Sequence, residues 1–525
     1  MPDRAAQIAA LSLPLDQLPD PLPIPTIEKP FDVTIRPPGS KSITNRALLL
    51  AALADGVSEL RGPLIDADDA QVMLRAIQQL GAKVEIIRSG TENPGGTGSS
   101  SASGAANSDT RTRADKPPVP PHSLPLDILR ITGVNGRWKI PPGQTITLNL
   151  NNAGTATRFL TAAAILAPPD SGGIIIDGDA RMRQRPIAEL VDALRRLVGR
   201  SAGAGCISYE SNEGFPPIHI TATNPAEMAP SVRFGQTLSS QFISATLLIA
   251  PFLERGLTVQ FESSQRITSE SYLDMTMELL RRLGVRADDR RPTSIHVEPG
   301  PLKAFKLDIE PDATGSTYFW GAAALFPCSR LMVQGLIPTP RQPDLQGDMR
   351  FMEVLHSMGA VLQPPIGGVS VVGSPRVQPV DADLSNMPDT AMTAAVLACF
   401  ASPSPDNPTA TSTLRGLRTL RVKETDRLAA LQTELTKLGA TVEIIPESLN
   451  GQSDESLRIT PPPTPSLPHS VTSSLPPLSF ATYHDHRMAM SLALIGLRRA
   501  NVLIQNPACV AKTYPTFWRD LARLY

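Results

Sequence analysis

Six runs of small and apolar residues punctuate the chain: ALLLAALA at 47–54, FLTAAAILA from 159, FISATLLIA from 242, YFWGAAALF from 318, AMTAAVLACFA from 391 and MAMSLALIGL from 488. Each is uniformly apolar instead of apolar on one stripe, which predicts a helix buried on every side. Their starts fall about 80 residues apart once two Gly/Ser/Pro-rich tracts, 89–121 and 461–479, are set aside. Tracts of that composition cannot bury enough apolar surface to order themselves, so both are expected as surface loops and the first as a disordered insert.

A second, amphipathic helix follows each run and stops at glycine: VMLRAIQQLGAKVEII, LVDALRRLVG, LDMTMELLRRLGV, MRFMEVLHSMGA and LAALQTELTKLGATVEII. In the last of these Leu428, Leu431, Leu435 and Leu438 fall on one face, Gly439 offers a left-handed cap, and Val442, Ile444 and Ile445 suit a strand. The sixth unit ends in YPTFWRDLARLY. One unit therefore reads strand, helix, strand, helix, strand, strand. A chain of 525 residues is too long for a single core, and six units divide naturally into two α/β domains of three.

Charge alters the picture mainly by what it excludes. With Lys+Arg 49 against Asp+Glu 50 the net charge is −1, so nothing draws the whole protein to nucleic acid or an anionic membrane, and an anion site must be a local gathering of cations. No uncharged apolar stretch reaches ~18 residues, so no membrane span is expected. Cys206, Cys328, Cys399 and Cys509 lie far apart without CxxC spacing, which suits a reducing compartment. The first 30 residues hold Asp3, Asp16 and Asp20 among prolines and lack signal or transit character. They are expected as a leader arm on a cytoplasmic protein.

The starts of the six buried helices carry the candidate chemistry: SKSITNR (40–46), NNAGTATR (151–158), LSSQ (238–241), PDATGS (311–316), MPDTAMT (387–393) and YHDHRM (483–488). Capping accounts for Ser, Thr, Asn and Asp there. It does not account for Lys41, Arg46, Arg158 and Arg487, because cations oppose a helix N-terminus unless an anion lies between. RMRQRP (181–186), RVKETDR (421–427) and Lys512 in AKTYP add further cations, although RVKETDR alone would also suit a salt-bridged surface helix. The set points to multi-anionic ligands between two domains. A nucleotide P-loop is excluded, since Ser40 separates Gly39 from Lys41 and no glycine stands five residues before Gly39. His484, Asp485 and His486 have metal-ligand chemistry, but Arg487 is adjacent and no partner cluster exists, so no metal is expected.

Taken in order, PPGSKSITNRALLLAAL, NAGTATR, SSQFISA, GDMRF, PDTAMT, LRVKETDRL, YHDHRMAM and AKTYP resemble the 3-phosphoshikimate 1-carboxyvinyltransferase (EPSP synthase) family, from about residue 31 to 525. The resemblance implies two inside-out α/β domains of the enolpyruvyl transferase kind, each of three βαβαββ units, with the active site in the cleft between them. The boundaries expected are 1–38 plus 311–525 for one domain, including the arm 1–30, and 39–310 for the other. It implies a monomer without cofactor, nucleic acid or membrane partner, and two substrates, shikimate 3-phosphate and phosphoenolpyruvate. The 5-hydroxyl of the first adds to C2 of the second, and the adduct loses phosphate to give the enolpyruvyl ether.

By similarity, shikimate 3-phosphate is held by Lys41, Ser42, Arg46, Ser239, Ser240, Gln241, Ser269, Tyr272, Asp389, Thr419 and Lys423. Phosphoenolpyruvate is held by Lys41, Gly154, Arg185, Gln241, Arg427, Arg487 and Lys512. The reaction needs a base on the hydroxyl and an acid for the methylene carbon, roles that fall to Asp389 and Glu424, with Lys41 assisting and His486 either relaying a proton or supporting the site. The divided site predicts two cationic walls that repel and stay apart until shikimate 3-phosphate bridges them. Thr419 stands where many relatives carry Asn, Asn151 where Gly is usual, Phe159 where Pro is usual and Glu270 where Lys is frequent. Two other readings compete. The UDP-N-acetylglucosamine enolpyruvyltransferase shares fold and donor but is expected to have Lys-Asn at the first motif and a cysteine on a mobile loop. A non-catalytic anion-binding repeat protein would leave Asp389 and Glu424 unexplained.

Overall fold

The computed structural model describes residues 3–89, 126–199, 206–221, 228–235, 237–262, 267–337, 345–449, 452–463 and 475–525. All but Ser89 of the first Gly/Ser/Pro-rich tract and the middle of the second lie outside the described residues.

The six apolar runs form the helices Lys41–Leu53, Gly154–Ala163, Ser240–Ile249, Ala313–Ala324, Ala391–Ala398 and His486–Arg498, almost wholly enclosed. Three pack together in each of two separate cores. Their close approach depends on small residues. A Cβ on Gly321 would lie 2.9 Å from the Thr393 methyl and 3.4 Å from Leu494, each on a neighbouring buried helix. The amphipathic helices lie outside them, and in Arg427–Thr436 the buried stripe is Leu428, Leu431 and Leu435, closed by Gly439 at φ 92°.

Five sheets have four strands on one plan. In the unit after residue 144, Thr145–Asn149 runs parallel to Gly173–Asp177, which pairs antiparallel with Ile218–Ile220, itself antiparallel to Ile207–Tyr209. The buried helix joins the two parallel strands, as a crossover connection must. The first strand is exchanged in two units. Asp32–Ile35 pairs parallel with Arg330–Gln334, and Lys306–Asp308 with Val57–Arg61. Between these strands the chain crosses from one core to the other and back. The two crossings lie side by side, with Ser40 N donating to Glu310 O (2.8 Å) and Asp312 N to Pro38 O (2.9 Å). Gly39 permits this, since a Cβ there would sit 2.1 Å from Gly62 O.

The sixth unit differs from expectation, and so does the leader arm. Val502–Ile504 is followed by the 3-10 helix Pro507–Lys512 and the short helix Phe517–Ala522, with no further strand, and the antiparallel place is taken by Leu22–Ile24. An unpaired strand edge would leave backbone donors and acceptors unsatisfied, and the N-terminal segment supplies the partner. Helix Arg4–Leu11 packs on Phe517–Ala522, and Tyr525 Oη donates to Pro25 O (2.6 Å). Among the described residues no helix is long and apolar enough to cross a membrane.

Candidate active site

All eleven residues expected to hold shikimate 3-phosphate line one cleft between the two cores, together with Thr155, Arg158 and Arg185. Side-chain caps close the helix starts at Ser239, Asp312 and Asp485. Helices beginning at Lys41 and Gly154 have no side-chain cap, so their first N–H groups are left for whatever enters, whereas the helix at Ala391 continues from the turn Pro388–Thr390, with Ala391 N donating to Pro388 O. Gly154 lets the Arg185 guanidinium lie close over this helix start: a Cβ there would sit 2.8 Å from it and push the side chain aside.

The floor is a buried ion-pair network. Arg427, 1 % exposed, donates to Asp485 (Nε–Oδ2 2.7 Å), Asp389 (Nη1–Oδ1 2.9 Å) and Glu424 (Nη2–Oε2 2.8 Å). Asp389 also accepts from Arg487 Nη2 (2.9 Å), lies 3.3 Å from Lys423 Nζ and meets Tyr272 Oη at 3.4 Å. Burial alone would raise the Asp389 carboxyl, but Arg487, Lys423 and Arg427 outweigh it and hold the group well below the ordinary carboxylate range. Asp389 is thus ionised, as a base must be.

Glu424 differs from the expected acid. Burial opposes its charge, yet Arg427, Lys512 and Arg185 together also hold it well below the usual value. His486 is enclosed, with neither ring nitrogen bonded, and burial followed by the nearby Arg487 keeps it neutral. His484 turns away to Asn506 (2.7 Å), while Asp485 caps its helix and grips Arg427, so these side chains do not converge as metal ligands.

The walls are not simply cationic and not apart. Asp69 lies between Lys41 (3.3 Å) on one wall and Lys512 (3.9 Å) on the other, and Lys512 Nζ donates to Asn152 O (2.7 Å) and lies 3.5 Å from Glu424. Arg181 reaches across to the backbone of Lys423 and Glu424. Interleaved carboxylates offset the repulsion that the count of cations suggests. Asp69 gives no site signal in the sequence, since an acid in the first turn of the helix Asp68–Gln79 has a sufficient local account in the helix dipole. Arg46 also differs from a free phosphate ligand: it is buried, bonded to Thr276 Oγ1 (2.9 Å), Ser42 O (2.9 Å) and Tyr272 O (3.1 Å), and stacked 5.2 Å from the Phe159 ring. Burial lowers it to about 10, still charged at neutral pH.

The departures have physical readings. Asn151 keeps a left-handed φ of 47°, which Asn tolerates better than other side chains. Glu270 pairs with Arg291 (2.9 Å). Thr419 presents a buried hydroxyl without a partner to the cleft.

Asp348, enclosed beside this network and bonded to the Thr314 hydroxyl, is raised to about 7 by burial and then by the charge of Asp389. A carboxyl raised on folding contributes stability that is present below its unfolded pKa and lost as pH rises through 7. Asp348→Asn is therefore expected to flatten the fall in stability between pH 4 and 8 by a few kcal/mol, since each tenfold gain in proton affinity on folding is worth about 1.4 kcal/mol. Thermal melts across that range check it; parallel profiles for both proteins would refute it.

Two three-unit cores with uncapped helix starts facing a cation-rich cleft define an enolpyruvyl transferase fold. Solved structures agree: the EPSP synthase from Acinetobacter baumannii aligns with TM-score 0.63 at 21% identity over 94% of this chain and 96% of that one, and the enolpyruvyl transferase NikO from Streptomyces tendae with 0.62 at 14% over 96% and 98%. The chain itself belongs to the EPSP synthase (3-phosphoshikimate 1-carboxyvinyltransferase) family, whose model matches residues 25–111 and 126–521. Curated relatives of that name include those of Thiobacillus denitrificans, 36% identical, and Haemophilus influenzae, 34% identical, each over 94% of this chain and 96% of its own.

Proposed function

We propose that this protein transfers the enolpyruvyl group of phosphoenolpyruvate to the 5-hydroxyl of shikimate 3-phosphate, releasing phosphate. The observation that carries the reading is Arg427, which holds both candidate catalytic carboxylates, Asp389 and Glu424, at the floor of the one cleft lined by every residue expected for the first substrate. Asp389 takes the proton of the 5-hydroxyl as the hydroxyl oxygen bonds to C2, and Glu424 delivers a proton to C3. Glu424 then removes a proton from C3 as the C2–O bond to phosphate breaks. Its resting ionisation fits this cycle. The cations that hold it low, Arg427, Lys512 and Arg185, are among those expected to hold the doubly anionic phosphoenolpyruvate, so substrate charge offsets them and lets Glu424 take up a proton.

The rival with a loop cysteine finds no support among the described residues. Cys206 and Cys399 are buried, no cysteine lines the cleft, and burial pushes Cys509 to about 12, far from a reactive thiolate. We read 1–38 with 311–525, and 39–310, as the two domains, hinged at the paired crossings. Phosphate release that requires both substrates tests the function; release with either alone, or none with both, would refute it. Because shikimate 3-phosphate is expected to bridge both walls and complete the phosphoenolpyruvate site, phosphoenolpyruvate is expected to bind about tenfold more tightly once that first substrate is present. Calorimetry with and without the first substrate measures this, and equal affinities would remove the coupling.

A further inference from the structure

The turn that presents Lys423 and Glu424 is anchored from the opposite side of the cleft. Arg181 Nε donates to Glu424 O and Arg181 Nη2 to Lys423 O, both at 3.1 Å, and among the described residues no other hydrogen bond reaches either carbonyl. Arg181 opens a tight turn fixed by Asp179, whose Oδ1 accepts from Met182 N (2.8 Å), and the same turn delivers Arg185 to the uncapped helix start at Gly154. One short segment thus touches an expected anion site with one arginine and the backbone of the candidate acid with another.

We propose that Arg181 is a positioning residue which couples occupancy of the Arg185 anion site to the placement of Glu424 and Lys423. The inference rests on the function proposed above. A planar guanidinium presents two parallel N–H groups to two successive carbonyls; a lysine ammonium is a point charge that satisfies one, and a glutamine amide has neither the reach nor the charge. No sequence spacing announces the contact, since its partners lie 242 and 243 positions away.

The test compares wild type, Arg181→Gln and Arg181→Lys for phosphate release, binary binding of shikimate 3-phosphate by calorimetry, and the dependence of kcat on pH. Arg181→Gln is expected to lower kcat about 10- to 100-fold, with a clearly smaller loss of binary affinity, since Lys423 is one of many groups that hold shikimate 3-phosphate. The tightening of phosphoenolpyruvate binding by the first substrate should shrink toward onefold. Arg181→Lys should recover part of kcat, and the acidic limb of the kcat profile should move in Arg181→Gln, because the backbone that carries Glu424 is no longer held. Values of kcat and coupling within twofold of wild type in both variants overturn the proposal. So does a loss of kcat matched by equal losses of binary affinity and melting temperature, which would mark a purely structural contact. If Arg181→Gln does not fold, Arg181→Lys decides: full wild-type coupling overturns the inference and reduced coupling supports it. Wild-type protein that releases no phosphate with both substrates defeats the functional reading and the inference together; turnover in wild type with unchanged variants defeats the inference alone.

Discussion

Asp389→Asn is expected to lower turnover by about 1,000-fold or more, at the upper end of what a positioned base supplies, while shikimate 3-phosphate binds with nearly its normal affinity. The amide keeps the shape of a side chain enclosed by Arg427, Arg487, Lys423 and Tyr272, and one oxygen can still accept from an arginine. What is lost is the carboxylate that takes the hydroxyl proton. Removing its charge also leaves those cations less compensated, which favours anionic ligands and works against a loss of binding. Single-turnover kinetics and calorimetry on the variant separate the two effects. Turnover near the wild-type rate would assign the base elsewhere.

Glu424→Gln should be comparably severe, about 100- to 10,000-fold in kcat, for a different reason. Glutamine can still accept from Arg427 in place of the 2.8 Å ion pair, so the floor is held, but no proton can be passed to or from C3. In heavy water the wild-type reaction should place solvent deuterium in the methylene group of recovered substrate and product. The variant should slow that incorporation in step with kcat. Unchanged deuterium uptake alongside a lower kcat would show that another group handles the carbon proton.

Much of this architecture is legible in the residues themselves. Six apolar runs at a regular interval specify six buried helices, and a helix apolar all round must sit inside a ring of its own kind. The Leu22–Ile24 contribution to the sixth sheet is not legible, because three residues with a central proline carry no strand periodicity. In the site, cations at helix starts announce an anion, since local electrostatics permits little else. The counter-charges are harder to read. Asp69 and Asp485 each have an adequate local account, in dipole and cap, that hides their contact with a distant cation. The charge state of Glu424 depends on Arg427 three positions away, which is visible, and on Lys512 and Arg185, which only the fold brings near.

The side-by-side crossings at Pro38–Gly39 and Glu310–Pro311 also bear on the order of assembly. Asp32 and Arg330 pair across 298 positions, and closing so long a loop from a disordered chain costs about 5 kcal/mol in entropy. If 39–310 folds first, its two ends emerge already bonded to one another, and that cost vanishes before the outer strands meet. On the ribosome the N-terminal strands Leu22–Ile24 and Asp32–Ile35 are made first yet have no partner until Arg330–Gln334 and Val502–Ile504 appear. These two strands are therefore among the last to fold, and a nascent chain halted just beyond 310 would carry one finished globule, Lys306–Asp308 included, with both unpartnered strands on its N-terminal side.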